Sequence, residues 1–263
     1  MQDLKITLVQ TSLHWGDMEA NLRHFDRLLS GIKATDLIIL PEMFNTGFIT
    51  EPAPVAETMD GRTVSWLREK AAALGTAITG SLIIHEERNY YNRLIFMLPD
   101  GSFQHYDKHH LFSMAGEHHR FTQGMIRTII QYKGWKIRPL ICYDLRFPVW
   151  CKNTWLEGEY GYDLLLCVAN WPEVRSHAWK LFLQARAIEN IAYVAAVNRV
   201  GHDGRGQAHS GDSAVIDPKG RPISHFEPHQ EAIHTVTLSK KELTDFRAAF
   251  NVGADWDGLR VDL

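Results

Sequence analysis

Three side chains at the ends of apolar runs carry the parts needed for covalent acyl transfer: an acid, an amine and a thiol. "LPEMF" presents Glu42 directly after an apolar run, "HYDKHHLF" presents Lys108, and "ICYDLRFP" sets Cys142 between an apolar run and a charged tripeptide. A thiol attacks a carbonyl as thiolate, and with an ordinary pKa of about 8.5 it needs a base or a nearby cation at neutral pH. Glu42 is the candidate base. Lys108 and the backbone N–H of Tyr143 are the candidate donors to the oxyanion of a tetrahedral intermediate. Taken singly, each has a plainer use, since an unpaired cysteine packs as a small apolar residue, a strand-end acid can cap, and a loop lysine is solvated.

These residues have to be positioned by the elements around them. Short β-branched and aliphatic runs alternate with amphipathic segments, the pattern of an α/β chain. "LKITLVQ", "DLIILPE", "TAITGSLII", "WKIRPLICY", "YDLLLCVANW", "NIAYVAAVNRV" and "AIHTVTL" read as strands, with further strands at "IRTIIQYKG", "DSAVIDPKG" and "RPISHF". The stretch 92–110 reads as a hairpin turning at Pro99-Asp100-Gly101. Helices are expected over 17–32, where Leu22, Phe25, Leu28, Leu29 and Ile32 fall at helical spacing, over 63–75, after Pro148, over 176–189 and over 240–250. Strands are too many for a simple doubly wound sheet, so two stacked mixed sheets with outer helices are expected. The chain reads as one domain over 1–263, with 251–263 a loose tail that could pack on a partner subunit.

"LPEMF", "YDKHHLF" and "ICYDLRFP" resemble, in that order, the Glu, Lys and Cys motifs of the nitrilase (carbon-nitrogen hydrolase) superfamily. "NWPEVRSHAWKLFLQARAIENIAYVAAVNRVG" resembles the segment that follows the nucleophile there, and the likeness runs from about residue 4 to about residue 240. It implies a four-layer αββα sandwich, a homodimer or larger homo-oligomer, and a second glutamate between lysine and cysteine, for which Glu117 in "SMAGEHHRFTQG" is the match. The implied reaction is amide hydrolysis through a thioester on Cys142, with Glu42 as base, Lys108 and the Tyr143 N–H at the oxyanion, and no metal or organic cofactor.

Within the superfamily, "LRHFDRLL", "CYDLRFPVW", "VANWP" and "ARAIEN" are similar to bacterial ω-amidases, which implies 2-oxoglutaramate or 2-oxosuccinamate as substrate. Such a substrate ends in a carboxylate, and Arg175 is the candidate cation for it, with Trp171 walling the pocket; a guanidinium can hold two oxygens at once. Arg175 could equally cap the following helix or pair with Glu173. Arg146 is expected to be structural, anchoring the loop through a buried acid, and Asp144 to serve the same loop. A nitrilase, a carbamoyl-amine amidase or a catalytically silent binding protein could use the same scaffold.

Composition narrows the partners. With a formal net charge of −3 over 263 residues and no block of Lys or Arg, nucleic acid and anionic membrane surfaces are poor partners, and a small-molecule amide is the better one. The N-terminal "MQDLKITLVQ" has no signal-like apolar region, and no apolar run reaches the length of a membrane span, so a cytoplasmic protein is expected. The paired histidines, His109-His110 and His118-His119, offer no convergent zinc geometry. "GHDGRG" lacks dinucleotide-binding spacing and reads as a flexible loop, and Cys151 and Cys167 read as packing residues.

Overall fold

In a computed structural model describing residues 2–258, the chain first runs through β1 (Leu4–Gln10), α1 (Met18–Leu29), β2 (Leu37–Ile39), α2 (Arg62–Leu74), β3 (Ala77–Glu86), β4 (Asn89–Met97) and β5 (Phe103–Asp107). It continues with β6 (Ile130–Tyr132), β7 (Trp135–Ile141), α3 (Pro148–Cys151), β8 (Trp155–Leu156), β9 (Glu159–Tyr160), β10 (Leu164–Ala169) and α4 (Ser176–Asn190). The last elements are β11 (Tyr193–Asn198), β12 (Val200–His202), β13 (Ala208–Ser210), β14 (Ala214–Ile216), β15 (Ala232–Leu238) and α5 (Lys240–Ala249).

Two mixed sheets result. One has the order β15-β1-β2-β3-β4-β5 and the other β14-β11-β10-β7-β6. Each has three parallel strands at its heart, β1-β2-β3 and β11-β10-β7, with antiparallel neighbours outside them. The two-residue period of a strand explains the layering. Leu4, Ile6, Leu8, Leu37 and Ile39 point between the sheets and meet Ile137, Leu164, Leu166 and Val197 of the second sheet. The alternate residues Val9 and Ile38 face outward against Leu22, Phe25, Leu67 and Trp66 of α1 and α2. "DLIIL" is apolar throughout because β2 is covered on both faces. On the far side, Trp179, Leu183 and Ala187 of α4 close the fourth layer.

Helix boundaries follow local chemistry. Asp17 caps α1 by accepting the Ala20 N–H, and Gly75, with φ 61°, ends α2 in the left-handed conformation that glycine adopts without strain. The Trp66 indole donates to Asp26 at 2.8 Å, tying the two helices together. No helix among the described residues is long and apolar enough to cross a membrane.

Several expectations are corrected. "RPISHF" forms no strand beyond a bridge between Ile216 and Pro222. Proline brings no N–H, and the Val215 N–H is taken by the Ser224 hydroxyl instead of a main-chain carbonyl. "IRTIIQYKG" contributes only the three residues of β6. "GHDGRG" is not a loose loop but the turn of the β12–β13 hairpin, where the Asp203 carboxylate accepts the N–H groups of Arg205 and Gln207. Gly204 lies flat on the Trp15 ring, where a Cβ would sit 2.4 Å from it.

The tail also differs from the expected arm. Asn251 accepts from the Tyr160 hydroxyl at 2.9 Å, and Trp256 packs on Tyr160 and on Lys152, so it lies on its own chain up to there. Residues 259–263 are outside the described residues.

Candidate active site

Parallel strands deliver side chains at their carboxyl ends, and in open α/β sheets that is where ligands bind. Glu42 follows β2, Cys142 follows β7 and Asn170 follows β10, while Lys108 is the first residue after β5. Arg93 of β4 grips Asp107 with two bonds, 2.7 and 2.9 Å, and Lys108 N–H bonds the Asn92 carbonyl at 2.9 Å, so the lysine leaves a firmly held strand end.

Lys108 is buried between two buried acids. Its Nζ donates to Glu42 Oε1 at 3.0 Å and to Glu117 Oε1 and Oε2 at 3.1 and 2.9 Å. Glu117 comes from a short 3-10 turn after Gly116 and is fixed from behind by the Phe112 N–H at 2.6 Å. Burial by itself would lower the Lys108 ammonium, but the Glu117 and Glu42 carboxylates outweigh it and hold the amine protonated well above its ordinary range. Burial lifts Glu117 above the usual carboxylate range, with Lys108 opposing that shift and Glu42 adding to it.

Cys142 sits at the turn from β7 into a 3-10 segment with φ 46°, a left-handed conformation costly for a residue with a Cβ. Such strain persists where the surroundings impose it, and here it lifts the side chain out of the sheet toward a cavity. Burial and the Glu42 charge push its thiol well above the ordinary value, and the Lys108 ammonium pulls it down.

The cavity, of about 330 Å³, is lined by Lys108, Cys142, Tyr143, Arg146, Trp171 and Arg175, with the β12–β13 hairpin contributing Arg205. Lys108 and Cys142 thus share one space with the residues expected at the far end of a substrate. Arg175 neither pairs with Glu173, which meets His229 at 3.2 Å, nor caps α4 with its side chain. Its guanidinium lies over the Phe112 ring. Trp171 is in the wall, with its indole donating to the Arg175 carbonyl at 2.8 Å.

The chain matches the carbon-nitrogen hydrolase family over residues 5–248. The chain belongs to that family. It is 46% identical over 261 residues to the omega-amidase YafV of Escherichia coli K12, covering 99% of this chain and 100% of that protein. It is 30% identical to the 2-oxoglutaramate amidase of Bacillus subtilis, with 98% of each chain covered. Among solved structures, a CN-hydrolase superfamily protein from Xanthomonas campestris with an arsenic adduct in its active site superposes with a TM-score of 0.97 at 47% identity, covering 100% of both chains.

In this carbon-nitrogen hydrolase two asparagines complete the acid's surroundings, and sequence reasoning missed them. Asn92 Nδ2 donates to Glu42 Oε1 at 2.8 Å, and the Asn170 backbone N–H donates to Glu42 Oε2 at 2.8 Å. Both Glu42 oxygens are therefore engaged as acceptors. The polar residue ending the run in "CVANW" was the available signal for Asn170. A lone asparagine at the start of "NRLIF" gave none for Asn92.

Arg146 is a correction. Asp144 offers it no anchor, because that carboxylate is filled by Tyr106, His110 and the Ile141 N–H. Arg146 instead lines the cavity with its guanidinium over Trp171 and Phe182, and no carboxylate among the described residues pairs with it. Cys151 and Cys167 are buried packing residues. His109 stacks on Trp150 and His110 on Phe147, while His118 and His119 lie exposed against each other.

Proposed function

We propose that this hydrolase cleaves the terminal amide of 2-oxo-ω-amides, 2-oxoglutaramate and 2-oxosuccinamate, to the dicarboxylate and ammonia. One observation carries the reading: a buried ammonium held between two buried carboxylates, beside a strained cysteine, in a cavity whose Arg146 and Arg175 meet no carboxylate among the described residues. The similarity to an omega-amidase and to a 2-oxoglutaramate amidase supports the same substrate class.

In this reading Glu42 takes the Cys142 proton as Sγ bonds to the amide carbon. Lys108 Nζ and the Tyr143 N–H face the oxyanion, where donors already in place need no reorganisation. The C–N bond breaks, the proton held by Glu42 goes to the departing nitrogen, and ammonia leaves a thioester. Water then attacks the thioester, Glu42 takes its proton, and the acid product departs as Cys142 Sγ regains a proton. Glu117 fixes Lys108 through bonds to both of its oxygens. The chain's own groups supply every proton transfer, so no cofactor enters the scheme.

Ammonia release from 2-oxoglutaramate, glutamine, a simple nitrile and a carbamoyl amine, measured side by side, tests the assignment. Release should be fastest from 2-oxoglutaramate; release from the nitrile alone would overturn it.

Arg146 and Arg175 are the cations for the distal carboxylate. Arg175→Ala and Arg146→Ala are each expected to raise KM for 2-oxo-ω-amides roughly 10- to 100-fold, the worth of a charge-assisted hydrogen bond, while KM for a short uncharged amide stays within about twofold. Equal effects on both substrates would remove that arginine from carboxylate binding.

A homodimer is the proposed assembly. Leu181 and Ile188, seven residues apart on α4, are exposed, and Val174 stands exposed one further heptad earlier in the 3-10 turn before it. A row of this kind is a face for a second copy. Sedimentation should give a dimer for the native chain and a monomer for Leu181→Glu combined with Ile188→Glu; a native monomer would remove the proposal.

A further inference from the structure

The segment between Lys108 and Phe112 and the turn that carries Cys142 are interleaved, and one buried carboxylate joins them. Asp144 is fully buried. It accepts from the Tyr106 hydroxyl at 2.7 Å, the His110 N–H at 2.8 Å, His110 Nδ1 at 3.0 Å and the Ile141 N–H at 3.0 Å. The Ile141 bond holds the residue directly before the strained cysteine. The two His110 bonds hold the residue two places after the lysine. Because a carboxylate only accepts, His110 Nδ1 must carry the proton between them.

Aromatic contacts lock the same two segments. The His110 ring lies flat on Phe147 with centroids 3.7 Å apart and planes 5° apart. Phe112 meets Tyr143 edge-on at 5.0 Å, and Tyr143 in turn meets Phe147 at 5.0 Å. The Trp150 indole donates to the Tyr106 hydroxyl at 2.9 Å, closing the network from below. Amine, thiol and the Tyr143 N–H are therefore tied to one connected network.

We propose that His110 and Asp144 are positioning residues: the imidazole-to-carboxylate bond keeps the Lys108 segment in register with the Cys142 turn. This rests on the reading of Cys142 as nucleophile. The alternative is that His110 only fills space on Phe147, and two substitutions separate these roles. His110→Asn places an amide N–H where Nδ1–H stood, off the same Cγ, but loses the stack. His110→Phe keeps the stack and loses the donor.

The test measures kcat, KM and the rate of Cys142 alkylation by iodoacetamide for both variants. His110→Asn should keep kcat within about threefold of the native enzyme. His110→Phe should lose roughly 10- to 100-fold in kcat, the scale expected of a misplacement near 1 Å, with KM nearly unchanged. Alkylation at pH 7 should slow in His110→Phe too, because an ammonium drawn away from the sulfur no longer pulls its pKa down. Full activity in His110→Phe, or equal losses in both variants, would overturn the proposal. Alkylation needs no amide turnover, so a native protein that is alkylated normally but releases no ammonia from any amide would defeat the amidase reading while the comparison of variants still decides this one.

Discussion

Cys142→Ala is expected to lower amide hydrolysis by at least about four orders of magnitude, because Cys142 is the one thiol lining the cavity among the described residues. Lys108 is held protonated and so has no lone pair to attack with, and the two acids bind it. During turnover of 2-oxoglutaramate, the intact mass of the native chain should show an acyl adduct that maps to Cys142. A companion measurement separates chemistry from folding. At φ 46° a Cβ is strained whatever the side chain, so Cys142→Gly should be as inactive as the alanine variant yet melt at an equal or higher temperature. Substantial hydrolysis by either variant would remove the thioester from the mechanism. A glycine variant much less stable than alanine would show that the elbow stores no strain.

Glu42 and Cys142 were legible in the sequence because each interrupts an apolar run where a strand ends, whereas Glu117 was matched only through the family resemblance. "DLIILPE" and "WKIRPLICY" announced both the strands and the polar residue emerging from each, and the helical spacing of Leu22, Phe25 and Leu29 matches the buried face of α1. What stayed hidden depends on distance in three dimensions. Asn92 reaches Glu42 from across 50 residues of chain. Arg146 was expected to anchor its loop through a buried acid, but no carboxylate among the described residues pairs with it, and the nearby Asp144 carboxylate is taken by Tyr106, His110 and Ile141, which only the fold brings to it. The β12–β13 hairpin was obscured by its glycines, of which Gly204 is needed for close packing on Trp15. The histidine pair "HH", declined as a metal motif, acquires a use only once His110 is seen on Phe147 and Asp144.

Glu42→Gln should move two observables in opposite directions. Hydrolysis is expected to fall about 10³-fold, within the range for loss of a general base, since the amide can take a proton neither from the thiol nor from water. The thiol, however, should become easier to ionise. Burial and the Glu42 charge raise its pKa while Lys108 lowers it, so removing the acid's charge leaves the ammonium less opposed. The midpoint of iodoacetamide alkylation against pH should therefore shift downward, and the rate at pH 7 should rise, in an enzyme that has lost nearly all turnover. The substitution is not perfectly isosteric in bonding. Glu42 Oε1 accepts from Lys108 and Asn92 and Oε2 accepts from the Asn170 N–H, so the glutamine NH₂ must face a donor, a mismatch of about 1–3 kcal/mol. A lowered melting temperature is expected for that reason and does not bear on the mechanism. The alkylation profile does. If its midpoint stays fixed or rises while hydrolysis falls, Glu42 is not the charge facing the sulfur, and the proton taken from Cys142 must go elsewhere.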